Sequence, residues 1–132
     1  MNSSDICIKE VNTEQKYADD VMNLKVDVSF DKPSEKRYKL TLTVVHAFVG
    51  EKKIYASTSL TRSLLINENE LGKEVVFQIE KPKLWTSEEE NLYNVDIVLK
   101  PAGIPTGGAA ALAINKIEPI DSKTVTIALR GE

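Results

Sequence analysis

Along much of this chain, apolar residues fall at every second position. The cleanest run is Leu24, Val26, Val28 and Phe30, which alternate with Lys25, Asp27 and Ser29. A period of two puts successive side chains on opposite faces of a pleated backbone, so this run predicts a strand with one face buried. Residues 38–49 extend the pattern, with Tyr38, Leu40, Leu42, Val44, His46 and Phe48 on one face and Thr41, Thr43 and Val45 on the other. β-branched residues suit such a surface. Shorter versions occupy residues 75–79, 93–99 and 124–130. Ile6 and Ile8 predict a first strand over residues 5–11, and another strand is expected over 54–60 after a hairpin turn at 50–53.

Between these runs lie polar or Pro/Gly-rich stretches. Residues 31–36 and 67–73 predict turns, and 101–108 predicts a loop rich in proline and glycine. Residues 12–20 are polar and could hold one helical turn with Asn12 as its cap. Residues 109–114 fit a short strand or a helical turn equally well. Many short strands and no long helix make the chain all-β. The expected architecture is an immunoglobulin-like two-sheet antiparallel β-sandwich of about seven strands, with a closed barrel as the structural alternative. There is no internal repeat.

The chain has 132 residues, which fits a single domain over 1–132. Hydrophobic residues at 42% and charged residues at 28% describe a globular composition able to build a core. A net charge of −3 with both signs interspersed argues against a nucleic-acid partner, which selects for a basic face. No apolar run is long enough to span a membrane, so no membrane partner is expected, and the first residues lack the charged and apolar regions of a signal peptide. Cys7 is the only cysteine, so no internal disulfide can form, and periplasm and cytoplasm both remain open.

Candidate chemistry is sparse. His46, the only histidine, falls on the apolar face of a strand and fits a structural role better than a catalytic one. One histidine and one cysteine cannot assemble a zinc site of the usual kind, and no cofactor is expected. Cys7 has no neighbouring group that would activate its thiol. Glu88, Glu89 and Glu90 invite comparison with the paired acids of glycoside hydrolysis, but a consecutive run in a polar loop fits a solvated surface. Asn67, Glu68, Asn69 and Glu70 sit in a turn with no pocket to raise a carboxyl pKa, and Asp19 and Asp20 also fit surface charge. No nucleophile elbow, phosphate loop or dinucleotide fingerprint is present. The expectation is no catalytic, cofactor-binding or metal-binding residue.

The exception to this plain picture is the segment from Pro82 through Leu84, Trp85 and Leu92 to Tyr93. It separates two alternating runs and carries the only tryptophan. Large apolar side chains in a long connection suggest a loop folded back over the end of a core. Residues 80–99 resemble the middle of the immunoglobulin-like sandwich domain of family 2 glycoside hydrolases, a family of β-galactosidases, β-mannosidases and β-glucuronidases. The family pattern is an alternating strand, Asn-Pro-Lys-Leu-Trp, a Ser-Pro-Glu-Asn-Pro-like turn, Leu-Tyr and another alternating strand. Pro82, Lys83, Leu84, Trp85, Glu88, Leu92 and Tyr93 match it, while Ser87 and Glu90 stand where the family carries prolines.

The resemblance implies a non-catalytic structural or linker domain cut from a larger glycosidase, with a β-galactosidase-like parent that hydrolyses O-glycosyl bonds. It implies adjacent jelly-roll and barrel domains as partners, with catalysis in the barrel. Pro82, Leu84, Trp85, Leu92 and Tyr93 become its structural signature. Trp85 would plug the open end of the sandwich, and the Tyr93 hydroxyl would bond nearby backbone in the manner of a tyrosine corner. The alternatives are a free-standing carbohydrate- or protein-binding module, or an adhesion sandwich that associates through an exposed edge or patch such as 109–114.

Overall fold

The computed structural model describes residues 5–47, 59–102 and 118–131. Seven strands follow one another: β1 (Ile8–Ala18), β2 (Val21–Phe30), β3 (Tyr38–Ala47), β4 (Leu60–Ile66), β5 (Gly72–Glu80), β6 (Leu92–Pro101) and β7 (Asp121–Ile127). All pairings are antiparallel and form two sheets, ordered β1-β2-β5 and β4-β3-β6-β7. This is an immunoglobulin-like sandwich. Its fourth strand lies beside β3, on the opposite sheet from the one it joins in constant-type domains. The sheets stay separate, so the barrel alternative is set aside.

Alternation in the sequence becomes burial in the fold. Met22, Leu24, Val26, Val28 and Phe30 of β2 face Tyr38, Leu40, Leu42 and Val44 of β3 across the core, and Val95, Ile97 and Leu99 of β6 complete it. Each is essentially inaccessible. Burying such a side chain contributes about 1.5–3 kcal/mol, and these central strands anchor the domain. The outer face of the larger sheet is polar and bonded across strands, with Thr41 to Ser63, Thr43 to Thr61, Asp96 to Thr124 and Asn94 to Thr126.

Four expectations change. The polar stretch 12–20 is not a helical turn: it is the body of β1, and Asn12 pairs with Asp27 in the sheet. An edge strand needs only one apolar face, and here Val11 and Tyr17 pack against the core while the other face is solvated. The hairpin that joins β1 to β2 turns on Asp19 and Asp20, both with positive φ (52° and 62°). Two consecutive left-handed residues are what a two-residue type I′ turn requires, and aspartate tolerates that conformation. The first strand accordingly begins later than expected, at Ile8, with a register irregularity between Ile8 and Glu10.

The strand expected over 54–60 is met at Leu60, where β4 (Leu60–Ile66) begins, and it continues through 61–66, which has no alternation of its own. Its place is fixed by pairing with β3 from Tyr38–Ile66 to Val44–Leu60. Residues 54–58 and the hairpin turn at 50–53 lie outside the described residues, as do Phe48 and Val49, most of the 101–108 loop and all of 109–114. Finally, β7 stops at Ile127, and Leu129 leaves the sheet yet is fully buried.

The two sheets are tied along one side by side chains that reach backbone. Asp121 Oδ2 accepts from the Ile8 amide at 2.8 Å. Gln15 Nε2 donates to the Ala128 carbonyl at 2.8 Å. Ile8 and Asp121 begin their strands, whereas Gln15 and Ala128 lie the same number of residues further on. β1 and β7 therefore run in the same direction on facing sheets. Residues 5–6 and 130–131 consequently lie at opposite ends of the sandwich, separated by roughly 23 Å of strand.

Candidate functional site

The loop between β5 and β6 is held to the end of the sandwich by its own backbone. Lys81 has φ 48° and donates its amide to the Asp20 carbonyl at 2.9 Å, which joins the loop to the first hairpin. Pro82 follows, half-buried. Trp85 donates its amide to the Leu129 carbonyl at 2.8 Å. Thr86 and Glu89 close a tight turn: the Thr86 amide donates to the Glu89 carbonyl, and the Glu89 amide to Thr86 Oγ1, both at 2.9 Å. This turn holds its shape without the two prolines found in the related pattern.

Tyr93 lies near the start of β6 and is 6% exposed. Its hydroxyl accepts from the Lys83 amide at 2.8 Å. Burial pushes its phenol pKa up, and the Lys83 amide partly offsets that by stabilising the phenolate. Leu92, half-buried, opens β6 opposite Ala47.

Beside Tyr93 sits a buried polar network. His46 packs on the Tyr93 ring, with centroids 5.1 Å apart. Asn91 is almost fully buried. Its Nδ2 donates to the Leu84 carbonyl at 3.0 Å, which fixes the orientation of the amide. Asn91 Oδ1 therefore faces His46 Nε2 at 3.1 Å as an acceptor, and Nε2 must carry the proton. His46 thus donates to Asn91, which in turn holds the loop through the Leu84 carbonyl.

Leu84 packs against the core, and Leu129 is fully buried beside the loop. These two supply the plug that the sequence suggested for Trp85. Trp85 itself is half-buried, with the Arg130 guanidinium 4.3 Å from its ring centroid. Gly131 lies against both Leu84 and Tyr17.

Glu88, Glu89 and Glu90 are exposed. Glu89 reaches back toward Asn91 at 3.4 Å, so the three carboxylates do not converge on a shared pocket. Among the described residues, the groove between the edges of β4 and β5 is lined by Leu60, Thr61, Arg62, Val76, Phe77 and Gln78, none of them a carboxylate. Among the described residues, no three His, Cys, Asp or Glu side chains are grouped to hold a metal ion. Cys7 is exposed next to β1, and its amide and carbonyl are both bonded to Asp31. Asn91, Gln15 and Arg130 are not singled out by the sequence pattern, whereas Leu129 falls on the apolar side of the alternating run 124–130. Asn91 follows the acidic run and looks like more loop polarity, and nothing local marks Gln15.

The family model of Glycosyl hydrolases family 2 matches residues 6–106. No curated protein sequence matches. Among solved structures, the chain is similar to the β-glucuronidase of Parabacteroides merdae (TM-score 0.61, 14% identity), covering 94% of this chain and 13% of that one. It is similar to β-glucuronidase 2 of Bacteroides uniformis (TM-score 0.62, 15% identity), covering 94% and 14%. It is also similar to the β-glucuronidase of Bifidobacterium dentium (TM-score 0.61, 19% identity), covering 95% and 18%. The chain thus spans less than a fifth of each of these proteins. Having this sandwich fold and matching the family model over most of its length, the chain belongs to glycosyl hydrolase family 2, as an immunoglobulin-like domain.

Proposed function

We propose that this chain is a non-catalytic linker domain of a larger family 2 glycoside hydrolase, one that hydrolyses O-glycosyl bonds elsewhere in its length. The observation that carries this reading is the path of the chain. It enters the sandwich at the Ile8 end and leaves at the Trp85 end, with the two sheets pinned by Asp121 and Gln15 between them. A rigid body with its entry and exit at opposite ends suits a spacer that holds a jelly-roll domain on one side and a barrel on the other. The acidic residues support the same view, since general acid–base chemistry needs two carboxyls flanking one substrate bond and Glu88, Glu89 and Glu90 are spread over an exposed turn.

The β-galactosidase-like parent expected from the sequence gains no support from the neighbouring structures, whose names are β-glucuronidases. A free-standing sugar-binding module would present an open aromatic face, whereas one face of the Trp85 ring carries the Arg130 guanidinium. The test is the reading frame around this chain together with assays of the pure polypeptide. A downstream barrel with paired glutamates, and no turnover of nitrophenyl galactoside or glucuronide by the 132-residue chain, are the expected results. Turnover by the chain alone would overturn the proposal.

A further inference from the structure

The last described residues do not trail off the sandwich. Leu129 is fully buried, and its carbonyl accepts from the Trp85 amide at 2.8 Å. One residue earlier, the Ala128 carbonyl accepts from Gln15 Nε2 at 2.8 Å. One residue later, the Arg130 amide donates to Gln15 Oε1 at 3.0 Å. The Gln15 side-chain amide therefore bonds the backbone on both sides of Leu129, as a neighbouring strand would. The Arg130 side chain lies over the Trp85 ring, and Gly131 rests on Leu84 and Tyr17, where an added Cβ would come within 3.0 Å of Leu84 Cδ1. Contacts from two separate elements, β1 and the β5–β6 loop, converge on four successive residues of the exit segment.

We propose that residues 128–131 form a clamped exit strap, gripped by Gln15 and by the Leu84–Trp85 pair, that sets the direction in which the chain leaves the sandwich. This rests on the linker reading, and it deepens it. A domain joined through a free segment would tumble independently of its neighbour. A chain held at four successive residues transmits its orientation to whatever follows. The Leu-Trp pair of the signature then divides its work. Leu84 closes the core, while Trp85 offers its amide to Leu129 and its ring to Arg130. Gln15 and Trp85 are positioning residues: Leu129 belongs to the core, and they hold the backbone on either side of it.

The strap is tested on the 132-residue chain by residue-resolved amide hydrogen exchange and ¹⁵N relaxation. In the unmodified protein, the Trp85 and Arg130 amides should exchange at least about tenfold more slowly than free peptide, and Gly131 should show a rigid backbone. Gln15→Ala should return Arg130 to peptide-like exchange and loosen Gly131, while the amides of β2 and β6 keep their protection. Gln15→Glu, which retains the acceptor for Arg130 but loses the donor to Ala128, should show an intermediate effect and guards against a general folding defect. Free-peptide exchange at Arg130 in the unmodified chain, or unchanged exchange in Gln15→Ala, would overturn the strap. These readouts do not involve catalysis: an ordered strap without a downstream barrel would remove only the linker reading, and a barrel following a mobile segment would remove only the strap.

Discussion

Tyr93 and Asn91 show how two side chains fix a loop whose own sequence is polar. The Tyr93 hydroxyl takes the Lys83 amide, and Asn91 takes the Leu84 carbonyl with one end and His46 with the other. Tyr93→Phe keeps the ring and removes the acceptor, so it should cost about 1 kcal/mol, read as a lower urea midpoint at unchanged slope. Asn91→Ala removes the buried bond to His46 and the part-buried one to the Leu84 carbonyl together, and should cost about 2–3 kcal/mol in the same measurement. Tyr93 also makes the fold sensitive to alkali. Its folded pKa is raised above the ordinary 10.0, chiefly by burial. Its contribution is complete below the unfolded value and is lost as pH rises through the higher folded value. Thermal melts from about pH 8 to about pH 11 should therefore fall less steeply for Tyr93→Phe than for the unmodified chain.

At the scale of elements, the β4–β5 connection carries its own electrostatics. Glu70 accepts from the Asn67 amide at 2.7 Å and pairs with Lys73 Nζ at 2.8 Å. Lys73 foremost, with the Asn67 amide, holds the Glu70 pKa below its usual 4.5. A depressed carboxyl stabilises the fold above the unfolded pKa, and that stability is lost as pH falls through the folded value. Glu70→Gln should accordingly flatten the acid limb of a stability–pH profile below about pH 4.5. Gly72, at the start of β5, lies so close to β2 that a Cβ would meet the Val28 carbonyl oxygen at 2.6 Å. Gly72→Ala must push two strands apart and should cost about 1–3 kcal/mol, visible as a lower melting temperature. The central strands were legible in the sequence because both β2 and β3 bury one whole face. β1 was legible only over its first residues and β4 only at Leu60, because their pairing partners, rather than a strong period of their own, hold the rest in the sheet.

At the scale of the whole molecule, the sandwich acts as a body with an entrance and an exit. Deleting residues 128–132 should expose the space filled by Leu129 and lower the melting temperature, whereas an ordinary frayed terminus could be removed without effect. Calorimetry of the shortened chain decides between these outcomes. By itself, the sequence determined the fold class, the strands that bury a full face, and the signature from Pro82 to Tyr93 that points to the family, because period-two burial and the turn residues are local properties. Only the tertiary structure decided what that signature does. The contacts that matter join residues distant in the chain: Gln15 with Ala128 and Arg130, Trp85 with Leu129, His46 with Asn91. No local pattern encodes them, because each exists only once two sheets have packed and brought their ends together.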